Sequence, residues 1–127
     1  MSRVKSKNTD IEKIVFSYLR HEKIYFQRNY SRVSGRPDIA LPRQKKAIFI
    51  DGDFWHGWKF ERIKGKLNPF WQQKIQANIS RDIRNKKLLK TKGWMVLRVW
   101  EHDLVPRKRY TTLLKVKSFL VDTPRSK

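Results

Sequence analysis

The sequence predicts one α/β domain, a mixed β-sheet flanked by helices in the order α-β-β-β-α-β-α. Three observations carry this. Short runs rich in Ile, Val, Phe, Tyr and Trp, at 24–30, 37–41, 47–51 and 94–100, end in turn residues and read as strands. Longer segments at 9–22, 70–90 and 109–121 repeat apolar residues three and four apart, as helices do. Strands interleaved with helices close around one sheet, and 127 residues suit a single domain.

The elements follow in order. Thr9–Asp10–Ile11–Glu12 fits a capping box at a helix start. Ile11, Val15, Tyr18, Leu19 and Glu22 then share one side, and the helix ends near 21–23. "IYFQRNY" (24–30) reads as a strand, and "SRVSGRP" (31–37) as a turn in which Pro37 pushes Arg36 toward extended geometry. "PDIAL" (37–41), the polar turn "PRQKK" (42–46) and "AIFID" (47–51) make a hairpin that Gly52 ends. "WKFERIKGKL" (58–67) reads as a basic, irregular surface loop. Asn68–Pro69 starts a long helix over 70–90, with Gly93 just past its end. "WMVLRVW" (94–100) is an apolar strand, "EHDLVP" a turn, and 109–121 an amphipathic helix through Leu113, Leu114, Val116 and Leu120. The core spans about 8–121, between a short basic arm and a frayed tail.

Charge narrows the partner. Against 31 Lys and Arg stand 11 Asp and Glu, a net charge of +20. Such an excess suits a polyanion, whose condensed counterions are released on binding. Nucleic-acid packing proteins share that charge, so it names a partner class without a chemistry. No cysteine is present, which excludes disulfides and thiolate metal sites and fits a reducing cytoplasm. No apolar run approaches the ~20 residues of a membrane span, and the first ten residues lack the apolar core of a signal peptide. The expectation is an intracellular, cytoplasmic protein, associated with the nucleoid.

Several residues break their local pattern. Trp71, Ile75, Asn78, Asp82 and Leu89 form one stripe of the long helix, so Asp82 lies on a core-facing side and requires a partner: Arg, Lys or His. Asp38 starts one hairpin strand, and Asp51 and Asp53 close the next, an arrangement that can offer oxygens to Mg²⁺. Turn composition alone also explains such acids. His56 follows Phe54 and Trp55 just past a carboxylate-bearing strand end, where an imidazole can move a proton; a packing role is the plain alternative. Glu12 is explained by its capping box. Phe54 and Trp55, adjacent and after a glycine, can hardly both face one core, so at least one is free to stack on bases.

These residues, in this order, resemble the very short patch repair endonuclease family, which nicks DNA beside a mismatch. The matching segments are "KSKNTDIE" (5–12), "GRPDIALP" (35–42), "AIFIDGDFWHG" (47–57), "FWQQKIQANISRD" (70–82) and "LLKTKGWMVLRVWE" (88–101). Related homing-endonuclease catalytic domains share the core. The resemblance implies a restriction-endonuclease-like fold. It implies metal binding at Asp38 and the backbone carbonyl of Ile50, with Glu12 near the metal and its waters. It places the catalytic histidine at His56 and the aspartate that orients it at Asp82. Phe54, Trp55 and Trp71 fall where the family's aromatics enter the duplex.

Three departures accompany the match. The repair enzymes hold a structural zinc with Cys and His, whereas the corresponding region here offers Asp53, Trp58, Phe60 and His102, so no zinc is expected. Asp51 stands where those enzymes have a second histidine, and either adds a metal ligand or tunes the site. The chain begins almost at the "SKNT" segment, so much of the arm that grips mismatched DNA is expected to be missing. These departures bear on mismatch specificity more than on nuclease activity.

The activity implied is a monomeric, Mg²⁺-dependent (or Mn²⁺-dependent) endonuclease or nickase on double-stranded DNA, leaving a 5′-phosphate and a 3′-hydroxyl. Arg32, Arg36, Arg43, Lys45, Lys46, Lys59, Arg62, Lys64 and Lys66 are candidate phosphate contacts. Two alternatives stand beside it. One is a nuclease of a phage, mobile element or restriction system, with specificity supplied by a protein partner. The other is a non-catalytic basic DNA-binding protein.

Overall fold

Thr9–His21 forms the first helix, α1. Asp10 and Glu12 lie in its first turn and Arg20 and His21 in its last, each sign facing the helix-dipole end it favours. Its C-terminus closes as a Schellman motif: the Lys23 N–H donates to the Arg20 carbonyl and the Ile24 N–H to the Leu19 carbonyl, both at 3.0 Å. Lys23 takes the left-handed position, φ 61°, that glycine usually fills. The structure, a computed structural model, describes residues 9–53, 57 and 59–121. Of Thr9 only the backbone is described, so the cap expected of its side chain lies outside the described residues.

The strands are β1 (Gln27–Arg28), β2 (Ile39–Leu41), β3 (Lys46–Asp51) and β4 (Met95–Trp100), in the sheet order β1-β2-β3-β4. The first three are antiparallel neighbours, and β4 joins β3 in parallel. The parallel pair needs a crossover, supplied by α3 (Pro69–Thr91). Asn68 caps it, its Oδ1 accepting from the Trp71 N–H at 3.0 Å, and Pro69 takes the first helical position. Past its end, Gly93 (φ 86°) and Trp94 return hydrogen bonds to Lys90 and Leu89. The last helix, α4 (Pro106–Val121), follows a 3₁₀ turn over Glu101–Leu104.

Two cores sandwich the sheet. On one face Ile39, Ile48, Ile50 and Val99 pack with Val15, Phe16 and Leu19 of α1 and Leu113, Val116 and Leu120 of α4. On the other, the small Ala40 and Ala47 let Leu89 of α3 and Trp94 approach, with Phe49 and Val96 alongside. Each fully buried aliphatic side chain contributes about 1.5–3 kcal/mol.

The predicted fold class and element order are those observed, with corrections. The strand expected over 24–30 pairs only at Gln27–Arg28. The expected irregular loop contains a short helix, α2 (Phe60–Ile63), and a 3₁₀ turn over Lys64–Lys66, because buried Phe60 anchors it. The last helix starts at Pro106, where proline suits a first turn. Arg36 is not extended. Its φ is 48°, because Gly35 and Arg36 together turn the chain tightly and the Arg36 N–H closes on the Val33 carbonyl at 3.3 Å. Lys46 is fully buried and is not a phosphate contact: its Nζ donates to the Phe119 and Leu120 carbonyls, at 2.7 and 3.3 Å, where α4 ends.

Candidate active site

Strand periodicity decides which side chains meet beside α3. Successive side chains point to opposite faces. Ile48 and Ile50 point toward α1 and α4, so Ala47, Phe49 and Asp51 point toward α3. In β4, Leu97 and Val99 join the first core, leaving Val96, Arg98 and Trp100 on the α3 side. The same alternation sets Asp38 with Ala40.

Asp38 is buried, and its Oδ2 accepts a hydrogen bond from the Ile50 N–H at 2.7 Å. A charge-assisted bond this short fixes the carboxylate's orientation against the Ile50 backbone. Asp51, the next residue, is 4% exposed. Arg98 Nη1 lies 2.9 Å from Asp51 Oδ2 and 3.4 Å from Asp82 Oδ2. One guanidinium thereby joins the end of β3 to α3, and it is a partner that Asp82 required. Arg98 also lies over the Trp100 ring, 5.6 Å from its centroid. Arg98 is hidden within 94–100, a segment whose other residues read as a plain apolar strand. The signal was present: a charged residue inside a strand, sharing a face with Val96 and Trp100, needs a counter-charge.

A cavity of about 380 Å³ opens beside this group, lined by Asp82, Arg98, Trp100, Ile79, Ile83, Lys86, Lys59 and Gly57. Gly57 matters twice. Its φ of 82° favours glycine, and a Cβ there would overlap the Ile79 side chain. Ile79 stands one turn before Asp82, so Gly57 seats on the Asp82 side of α3. His56 itself, with Phe54, Trp55 and Trp58, lies outside the described residues. The other approach is held at Asp53, whose N–H donates to Glu101 Oε1 at 3.0 Å and whose Oδ1 lies 2.9 Å from His102 Nδ1. An ionised carboxylate only accepts, so Nδ1 carries the proton of that bond. The His102 ring stacks on Trp100, 5.8 Å between centroids.

Glu12 is half-buried in the first turn of α1, in the layer opposite α3. Trp71 is half-buried in the first turn of α3, and Phe70, edge-on to it at 5.1 Å, is 62% exposed. Arg36, Lys59, Arg62, Lys64 and Lys66 are exposed, and Lys64 pairs with Glu61 at 3.0 Å. Among the described residues no group of three or more His, Cys, Asp or Glu is placed to hold a metal ion. A carboxylate and main-chain carbonyls are hard oxygen donors, however, and Mg²⁺ takes few protein ligands and completes its shell with water. Asp38 and the Ile50 carbonyl fit that donor chemistry. No described helix is long and apolar enough to cross a membrane.

Comparison with known proteins gives consistent matches. A family model described as DNA mismatch endonuclease Vsr matches residues 1–62. A Type II nicking enzyme of Neisseria meningitidis serogroup C is 36% identical over 108 residues, covering 83% of this chain and 73% of that protein. One from Haemophilus parainfluenzae is 36% identical over 104 residues, 80% of this chain and 74% of that protein. The DNA mismatch endonuclease Vsr of Escherichia coli is 33% identical over 113 residues, 87% of this chain and 72% of that protein.

Proposed function

Because the chain belongs to the Vsr DNA mismatch endonuclease family, we propose that it is a divalent-metal-dependent DNA nickase, hydrolysing one phosphodiester to leave a 5′-phosphate and a 3′-hydroxyl. The observation that carries this is the Asp38 carboxylate oriented by the Ile50 backbone at the edge of the Asp51–Arg98–Asp82 group, in a chain of net charge +20. A field of that sign draws DNA in, and carboxylates clustered where phosphate would approach suit a metal-assisted phosphodiester chemistry.

Each residue has a role. Asp38 and the Ile50 carbonyl would hold Mg²⁺ or Mn²⁺. When bound, the ion neutralises phosphate charge and makes water a better nucleophile. His56 moves the proton, as base toward the water or acid toward the leaving oxygen, and Asp82 orients its ring. Glu12 positions water. Phe54, Trp55 and Trp71 press on the base stack. Arg36, Lys59, Arg62, Lys64 and Lys66 meet phosphates, each screened contact adding to the salt dependence of binding.

Supercoiled plasmid is the test. Mg²⁺-dependent conversion to open circles by the wild type, lost in His56→Ala and Asp38→Asn with DNA binding kept, is expected. Wild-type rates in either variant would overturn the assignment. A second reading of the substrate is a nickase of a restriction system without mismatch preference; relatives of similar identity carry the name Type II nicking enzyme, which specifies nicking and no mismatch. Equal rates on matched and T·G-mismatched duplexes would select it.

A further inference from the structure

Asp51 and Asp82 come from different elements, yet one nitrogen of one arginine reaches both: it forms an ion pair with Asp51 Oδ2 at 2.9 Å and donates a hydrogen bond to Asp82 Oδ2 at 3.4 Å. The contact with Asp51 is the closer, and that carboxylate is only 6% exposed at its side chain. Arg98 is itself 20% exposed, at the wall of the cavity. A buried carboxylate is costly unless it is paired. Asp38 and Asp51 share the α3 side of the sheet, and Asp38 is held by a backbone N–H whereas Asp51 lies against a full cation.

We infer that Arg98 is a positioning residue: it takes Asp51 as its anchor, so that Asp51 is not a metal ligand, and holds Asp82 in place from that anchor. The inference rests on the nuclease reading above. It divides the three carboxylates by task. Asp38 serves the metal, Asp51 holds the arginine, and Asp82, steadied by the arginine, orients the histidine. Arg98 also offsets the negative charge that Asp51 and Asp82 would otherwise add where a phosphate must enter.

The test compares Mn²⁺ binding, followed by electron paramagnetic resonance without DNA, with single-turnover nicking. Asp38→Asn is expected to weaken Mn²⁺ binding at least about tenfold, and Asp51→Asn less than about threefold, since it changes a neighbouring charge and no ligand. Equal losses in the two variants would make Asp51 a ligand and overturn the inference. Arg98→Met is expected to tighten Mn²⁺ binding, because a carboxylate beside Asp38 loses its counter-charge. The same variant is expected to slow nicking about tenfold or more at unchanged DNA affinity, with Arg98→Lys recovering part of the rate. Metal affinity and rate moving in opposite directions cannot come from lost folding. Unchanged nicking in Arg98→Met, or a loss carried wholly by DNA affinity, would overturn the positioning role. Should Arg98→Met not fold, the Asp51→Asn and Arg98→Lys results decide. A wild type that neither binds Mn²⁺ nor nicks would overturn the nuclease reading itself, and this assignment with it.

Discussion

Each face of the sheet buries a charge beside a helix, and the two faces treat it differently. On the α1/α4 face, Lys46 is wholly enclosed and its ammonium meets the carbonyls that end α4. On the α3 face, Asp51 meets another side chain, Arg98, which reaches the wall of a cavity. A charge satisfied by backbone carbonyls, with no path to solvent, holds elements together. A charge satisfied by a side chain that reaches an opening also acts on whatever enters there. The difference teaches where chemistry is to be looked for: the enclosed ion is architecture, and the pair whose arginine reaches the cavity wall is the place to test.

The largest expected effect lies on the open face. Asp38→Asn keeps an acceptor for the Ile50 N–H but loses the charge, and nicking should fall on the order of a thousandfold with little change in melting temperature. A large loss of stability with nicking retained would reverse the roles of the two faces. Next is Lys46→Met, which fills the same volume but leaves the α4 carbonyls unmet. It should cost about 2–3 kcal/mol in urea unfolding, with nicking by the folded fraction retained. Then comes Gly57→Ala. It forces a side chain against Ile79 and a disfavoured φ, so the segment beside Asp82 shifts and nicking falls about tenfold; full activity would detach that segment from the site. The smallest effect belongs to Glu22 and Lys117, 2.7 Å apart, which tie α1 to α4. The Lys117 hydrogen bond holds the Glu22 carboxyl below its ordinary value of 4.5. Glu22 therefore binds its proton more weakly folded than unfolded, and its contribution is full above pH 4.5 and fades as pH falls through the folded value. The melting-temperature difference between wild type and Glu22→Gln should be small at neutral pH and vanish in acid. A difference that persists in acid would mean that packing, not charge, joins these helices.

The legibility of the sequence varied by residue in a physical way. The α3 cap was readable because Asn68 and Trp71 are three residues apart. The burial of Ile75 and Leu89 and the core-facing side of Asp82 followed from helical period alone. Asp38, His56 and Glu12 were singled out by segment resemblance joined to their place at element ends. Lys46 looks like a surface cation because its neighbours Gln44 and Lys45 are a surface turn, and nothing local reports that it meets α4, 73 positions on. Arg98 was missed because a strand's own pattern does not show what stands across from it.

By itself the sequence determined the order of the main elements and, α2 apart, their boundaries within a few residues, together with the polyanionic partner class and the family. All depend on interactions within a few positions, on summed charge, or on ordered segments. Only the tertiary structure decided that Arg98 serves both Asp51 and Asp82, that Gly57 seats against Ile79, and that Lys46 ends α4. The parallel register, which sets Phe49 against Arg98 and Asp51 against Trp100, makes the first of these contacts. Register between distant strands is set by the whole sheet packing between two helical layers, and no short window of the chain contains that information.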